Sequence, residues 1–317
     1  MRADFIEVEI ADLPPLPPGE AALLDMHSVL NALNVLQGEL AIIGLSLAQN
    51  ADLLRESLTV CRTLANGLSN REKALRDAAE LPSHRARVMA EILHTLAAHP
   101  GRQDDPEIIE SLANLESVFA ILTIRAHEVL SRARHPENWE TLRIDNIRHS
   151  MFEAFAAIEK NSKGRYHIIY NLARQEPTDY YVRLDFDSID GDTVCMPPVL
   201  QEVMRDLIAN ARKYTAPGGI IAAGLYAGAY EIRLAVCDTG RGIPEKDLRE
   251  VVKFGRRGSN VGDVRTMGGG FGLTKAYYVT KQFHGRMWIA SRVDVGTRIS
   301  LAIPRLATPQ PTKEPSR

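Results

Sequence analysis

Asp206-Leu-Ile-Ala-Asn210-Ala-Arg-Lys213-Tyr214-Thr215 continues an apolar set, Val203, Leu207, Ile208 and Ala211, that recurs at helical spacing. Asn210 and Lys213 lie three apart and share a face of that helix. A side-chain amide oxygen is a hard ligand suited to Mg2+, and a lysine ammonium is a point charge suited to phosphate. Three further blocks follow in order: Asp238-Thr-Gly240-Arg-Gly242-Ile243-Pro244, then Gly268-Gly-Gly270-Phe271-Gly272-Leu273, then Gly296-Thr297. Asp238 ends the run Ile232-Arg-Leu-Ala-Val-Cys237, which reads as a buried strand. A carboxylate there can accept a hydrogen bond from an exocyclic amine such as that of adenine. Gly240 and Gly242 let the backbone turn sharply and approach a flat base. Residues 268–272 open a helix-like segment over 273–283, and glycines before a helix N-terminus present free N–H groups to phosphate.

Taken singly, each block has an ordinary explanation. A Gly-x-Gly is usually a turn, and Gly-Gly-Gly-Phe-Gly does not follow a strand as a dinucleotide fingerprint does. In this order, with Lys253-Phe254-Gly255-Arg256-Arg257-Gly258 between the two glycine blocks, they resemble the ATP-binding catalytic domain of sensor histidine kinases, of the superfamily shared with gyrase, Hsp90 and MutL. The resemblance covers residues 145–305. It implies an α/β-sandwich and ATP with Mg2+ as cofactors. It implies ATP contacts from Asp206, Asn210, Lys213, Tyr214, Asp238, Gly240, Gly242, Ile243, Gly268, Gly270, Phe271, Gly272, Leu273 and Thr297, with Asn210 on the metal. Kinases of this type often carry Asn or Glu at the first position of the asparagine box; this chain has Asp206. A carboxylate there can hold water on Mg2+, or act as a base toward water as the Glu of the hydrolysing branches does.

The 317 residues suffice for two domains with real cores. Net charge is −2, so no bulk electrostatic case exists for nucleic acid. Cys61, Cys195 and Cys237 are widely spaced and suggest a reducing compartment. The longest apolar run, residues 40–48, is far too short to span a bilayer. No basic region followed by an apolar core opens the chain, so a cytoplasmic protein without membrane insertion is expected.

Residues 1–18 are expected to be an extended lead-in with a short strand, Phe5-Ile-Glu-Val-Glu-Ile10, before Leu13-Pro-Pro-Leu-Pro-Pro18. Residues 19–140 read as an all-helical bundle. Its segments run over about 20–49, 52–80 (stopped near Pro82), 85–98 and 104–134. Gly38 and Gly44 weaken the first by roughly 1 kcal/mol each against Ala, and permit close packing. Residues 141–306 read as helices on one face of a mixed sheet, so the fold class is α+β. The lid-like segment 254–270 is expected to be mobile, with Arg256, Arg257 and Arg265 available to phosphate. Residues 307–317 are expected to be a disordered tail.

The kinase resemblance demands a phosphate acceptor on a dimerising helical segment. His27, in Asp25-Met-His27-Ser28-Val-Leu-Asn31-Ala-Leu-Asn34, shares a polar face with Asn31 and Asn34 at i, i+4 and i+7. The segment is similar to the His-x-x-x-Asn-Ala-Leu-Asn pattern of the LytS-like branch. It lacks that branch's Pro before and Phe after the histidine, and Ser28 stands where many kinases carry an acid. A neutral imidazole nitrogen is a competent nucleophile toward phosphorus. His27 and Asn31 are therefore the expected catalytic pair. The expected function is a soluble, homodimeric histidine kinase that passes its phosphoryl group to the receiver domain of a separate response regulator. An upstream sensor protein is a further candidate partner. The alternative is a kinase-weak nucleotide-binding regulatory or phosphotransfer scaffold.

Overall fold

The computed structural model describes residues 5–10, 12–160, 164–263 and 269–305. The expected tail at 307–317, Arg265 and Gly268 lie outside the described residues. The chain is α+β, and its described residues divide into two compact units. One holds residues 5–10, 12–13, 137–160, 164–263 and 272–305; the other holds 14–136 and 269–271.

The first unit is built on a seven-stranded sheet of order β1-β8-β9-β7-β6-β4-β3. Its strands are β1 (Ile6–Glu9), β3 (Ile168–Ile169), β4 (Tyr180–Ser188), β6 (Ile220–Ala227), β7 (Glu231–Asp238), β8 (Arg286–Arg292) and β9 (Gly296–Pro304). β6 pairs parallel with β4, and β4 with β3; the other neighbours are antiparallel. A separate pair joins β2 (Glu140–Arg143) to β5 (Thr193–Met196). Three helices pack in this unit: α7 (Ile144–Lys160), α8 (Val199–Tyr214) and α9 (Gly272–Gln282). Strand alternation puts Ile221, Ala223 and Leu225 of β6, Ile232, Leu234 and Val236 of β7, and Ile299, Leu301 and Ile303 of β9 into the core. There they meet Val203, Leu207 and Ile208 of α8 and Ala276 and Tyr277 of α9.

β1 is the short strand expected at residues 5–10. It is an edge of this sheet, registered Ile6↔Ser291 to Glu9↔Trp288, with Ile10 N–H extending the ladder to the Met287 carbonyl. The strand expected over residues 166–172 shrinks to β3 and a 3-10 turn at Leu172–Arg174.

The second unit is all helical: α1 (Pro18–Asp25), α2 (His27–Ala48), α3 (Arg55–Gly67), α4 (Arg71–Ala79), α5 (Leu81–Ala97) and α6 (Pro106–Arg134). Its core joins Leu33, Leu36, Leu40 and Ile43 of α2 to Leu115, Phe119, Leu122 and Val129 of α6. Three boundaries differ from the sequence reading. The first segment breaks at Met26, which makes His27 the first residue of α2. The second breaks before Asn70, whose side chain caps α4 by accepting from Lys73 N–H at 3.0 Å. Pro82 starts α5 rather than stopping α4, as a first-turn proline can. Asp105 and Pro106 open α6 as expected. Glu91 of α5 accepts from the N–H groups of Glu56 and Ser57, so a neighbouring helix caps α3.

By length and composition α2 is apolar enough to cross a membrane. Interrupted by single polar residues, it escapes a search for contiguous apolar runs. Its Leu33, Leu36, Leu40 and Ile43 are buried within the helical unit.

The two glycines of α2 have opposite roles. A methyl on Gly38 meets nothing within 4 Å, whereas one on Gly44 collides with the Asn50 carbonyl, where the chain reverses through Gln49 at φ 54°. Gly38→Ala is expected to stabilise the fold by about 1 kcal/mol, and Gly44→Ala to destabilise it by about 1–3 kcal/mol. Chemical denaturation of the two variants beside the wild type checks both signs.

Candidate functional site

The site in the first unit starts from the end of β7. Asp238 lies opposite Thr297 of β9, and its Oδ1 accepts from Gly240 N–H at 2.8 Å. Burial pushes its pKa up to about 6, against the pull of hydrogen bonds from the Gly240 and Thr297 backbones. A methyl on Gly296 (φ 140°) would strike the Asp238 carbonyl, and one on Gly242 (φ 66°) the Arg292 carbonyl. The loop after β7 is thus pressed against the ends of β8 and β9. Arg241 N–H bonds to the Tyr214 carbonyl at 3.1 Å, which ties the same loop to the end of α8.

Ser291, which the sequence reading missed, fastens this corner. Its hydroxyl receives Ile243 N–H at 2.8 Å, donates to the Gly296 carbonyl at 2.8 Å and lies 3.0 Å from Thr297 Oγ1. A serine inside a strand carries no sequence signal of such a role; only the loop folded over it reveals one.

Asn210 projects from α8 toward the N-terminus of α9. A methyl on Gly272 would come within 2.5 Å of Asn210 Nδ2, so the first residue of α9 must be glycine for the amide to fit. One turn earlier on α8, Asp206 Oδ2 lies 3.4 Å from Lys275 Nζ of α9. Lys213 is half-buried beside Arg257, and desolvation, aided by that guanidinium, lowers its pKa to about 8. Its ammonium also lies 5.3 Å from the Tyr214 ring centroid. The two cations, each partly exposed, lie near enough to repel one another.

Part of the lid-like segment is pinned. Arg241 forms two hydrogen bonds with the Asp263 carboxylate at 2.7 and 3.2 Å, and Asp247 accepts from Ser259 N–H and Oγ at 2.7 and 2.6 Å. These partners are far apart in sequence, so the composition of residues 254–270 did not reveal them.

The structure brings Asp206, Asn210, Lys213, Tyr214, Asp238, Gly240, Gly242, Ile243, Gly272, Leu273 and Thr297 into one unit, with Gly270 and Phe271 grouped in the helical unit. There the Phe271 ring stands edge-on to the His27 imidazole, centroids 5.5 Å apart at 87°. His27 is buried, and Asn31 Nδ2 lies 3.1 Å from its Nε2. An amide N–H donating there puts the lone pair on Nε2.

Residues 196–307 match the family of histidine kinase-, DNA gyrase B-, and HSP90-like ATPases. This stretch carries the pattern of that ATPase family. The adaptive-response sensory kinase SasA of Synechococcus elongatus is 31% identical over 178 residues, 56% of this chain and 43% of that protein. The histidine protein kinase DivJ of Caulobacter vibrioides is 34% identical over 121 residues, 37% of this chain and 19% of that protein. The virulence sensor protein BvgS of Bordetella bronchiseptica is 28% identical over 149 residues, 46% of this chain and 12% of that protein. The chain thus spans under half the length of each relative. Among solved structures, the catalytic domain of histidine kinase ThkA aligns with a TM-score of 0.39 at 16% identity, over 53% of this chain and 95% of that one. The chain resembles the sensor histidine kinases over the stretches these matches cover.

If, as the resemblance implies, Asp238 accepts from an adenine amine and Lys213 holds phosphate, the ionised carboxylate is the stronger acceptor and the protonated amine is the form that attracts an anion. Nucleotide affinity is therefore expected to fall as pH drops through about 6 and as it rises through about 8. Titration calorimetry across pH 5–9 reads both limbs, and Asp238→Asn removes the acid limb. For folding the sign is opposite at Asp238. Its raised pKa contributes stability that is lost as pH rises through about 6. Asp238→Asn should then stabilise the unliganded fold at pH 8, by on the order of 2 kcal/mol, while weakening ATP binding.

Proposed function

We propose that this protein is a histidine kinase of a two-component pathway. What supports the reading is that Asn210 and Lys213 of α8 and Asp238 at the end of β7 lie in one unit on elements that pack together, within a stretch that matches the histidine kinase-, DNA gyrase B-, and HSP90-like ATPases. In this reading Asp238 accepts the adenine amine, and Lys213 and Arg257 hold phosphate oxygens. The N-terminus of α9 adds its backbone N–H groups to the phosphate subsite. Mg2+ arrives with the nucleotide. The Asn210 amide oxygen and the Asp206 carboxylate one turn away are the hard donors that would hold it, and its charge would neutralise phosphate oxygens.

A ring nitrogen of His27 attacks the γ-phosphorus. The bond from that phosphorus to the β–γ bridging oxygen breaks, ADP leaves, and an N–P bond forms. The phosphoryl group then passes to a carboxylate oxygen of an aspartate on a separate receiver domain. Positioning and charge neutralisation supply most of the rate. Exposed Ile42 and Leu45 on α2 and Ile121 and Ile124 on α6 support dimerisation through the helical unit. The proposed compartment is the cytoplasm. Ser28 beside His27 favours one second reading, a kinase-weak phosphotransfer or phosphatase scaffold, because no acid follows the histidine to take its proton.

Incubation with γ-labelled Mg-ATP, with acid and base treatment of the product, separates the two. Acid-labile, base-stable label, lost in His27→Ala and in Asn210→Ala, is the kinase outcome. Nucleotide binding without label is the scaffold outcome. Acid-stable label indicates a hydroxyl acceptor instead.

A further inference from the structure

Ser291 of β8, Thr297 of β9 and Asp238 of β7 stand in one row across three strands. Ser291 is registered with Thr297, and Thr297 with Asp238. Cross-strand partners carry their side chains on the same face of a sheet. Alternation from Leu234 and Val236 makes that the core-facing side. The row is graded in depth: Ser291 is buried, whereas Thr297 and Asp238 are partly exposed. A ligand at this end of the sheet can meet Asp238 and Thr297 but not Ser291.

The protons of the row have fixed places. A serine hydroxyl has one proton to give and two lone pairs. The Gly296 carbonyl can only accept, so the 2.8 Å contact with it takes the Ser291 proton. Ile243 N–H can only donate, and it occupies one lone pair at 2.8 Å. The remaining contact, 3.0 Å to Thr297 Oγ1, is satisfied only when Thr297 donates. The Thr297 proton is thereby committed inward, and its oxygen offers lone pairs alone to a ligand. The ionised Asp238 carboxylate has no proton to give either, and it already accepts from the Gly240 and Thr297 backbones. Two neighbouring groups therefore present acceptors only. A ring with an exocyclic amine matches them, because the amine brings two N–H donors. A ring with an oxo group in that place sets lone pairs against lone pairs, and recessed acceptors left unpaired are costly.

We propose that Ser291 is a positioning residue that sets base specificity: by holding the Thr297 hydroxyl as an acceptor beside Asp238, it makes the site select an amino-substituted purine over its oxo counterpart. The inference rests on the proposed nucleotide site and deepens it. Ser291 touches no ligand and acts through Thr297. Without the serine hydroxyl, that of Thr297 is free to rotate and donate to an oxo group. Asp238 alone then carries the selection.

The test compares Mg-ATP with Mg-ITP, in which an oxo group replaces the exocyclic amine while the sugar and triphosphate are unchanged. Affinities are measured by titration calorimetry at pH 7 on the full chain. The proteins are the wild type, Ser291→Ala, Thr297→Val and the double variant, each checked for folding by thermal denaturation. The wild type is expected to prefer ATP. Ser291→Ala is expected to lower the ratio of ATP to ITP affinity by roughly fivefold, the worth of one hydrogen bond. Thr297→Val, which keeps the shape and removes the hydroxyl, is expected to lower it as well. Adding Ser291→Ala to Thr297→Val is expected to change the ratio no further, because the serine acts through the missing hydroxyl. A purely structural serine would weaken both nucleotides alike, so an unchanged ratio in Ser291→Ala overturns the inference. So does a fall in the ratio that Ser291→Ala still produces in the Thr297→Val background. If Ser291→Ala does not fold, Thr297→Val decides: a ratio equal to that of the wild type overturns the inference. Equal binding of the two nucleotides by the wild type overturns it alone. Absence of Mg-ATP binding by the wild type overturns the proposed function and this inference with it.

Discussion

The site depends on the close approach of one loop to three backbone ends. Between Asp238 and Pro244 the chain must pass within contact distance of the Tyr214, Arg292 and Gly296 backbones, and only residues without side chains fit at the tightest points. That approach recesses the Asp238 carboxyl. Recession makes it selective, because a desolvated acceptor discriminates strongly between a ligand that donates and one that does not. It also raises the free energy of the empty fold, because a carboxylate is held where water would otherwise solvate it. Ser291 stabilises the arrangement by satisfying Ile243 N–H and Gly296 C=O inside the corner, where neither reaches solvent easily.

The α+β class, the core-facing alternation of β6, β7 and β9 and the helical character of residues 18–134 were all legible in the sequence, because each is a local periodicity. So were the candidate site blocks, because glycine and charged residues at fixed spacing have few alternative uses. What was not legible is non-local. Met26 breaks no pattern of apolar spacing, yet the helix restarts there. Pro82 is compatible with stopping one helix or starting the next, and its neighbours decide. The weak strand at Ile6–Glu9 becomes definite only because the edge of β8 is available to it. Gly44 looked interchangeable with Gly38 until the chain folded back and set Asn50 over it. Lys275 was invisible for the same reason: a lysine three residues into a helix reads as a solvated side chain, and its carboxylate partners lie about seventy residues earlier.

The helical unit follows the same logic with different means. α2 and α6 meet through leucine, isoleucine, valine and phenylalanine, a seam that sequence periodicity foretells. α3, α4 and α5 add apolar residues to that core, and polar contacts tie the helix ends. Glu91 caps α3 from another helix, Asn70 caps α4 locally, and Ser46 donates to Glu107 at 2.7 Å. Polar contacts of this kind are directional. They fix the geometry of a short-helix assembly whose apolar area alone leaves many packings close in energy.

Charge along the candidate site is segregated. At one end Asp238 carries a carboxyl pushed toward its neutral form by burial, and at the other Lys213 carries an ammonium pushed the same way by burial and by Arg257. Each group is strained in the direction opposite to its working charge. A ligand relieves both only if it brings a hydrogen-bond donor to the first and an anion to the second, and a nucleotide with its base and phosphates has that polarity. In the proposed reading, relief at both ends on binding would favour the whole molecule over either half. Lys275 belongs to neither end. Its ammonium lies between Glu202 and Asp206, so its charge is balanced within the layer between α8 and α9.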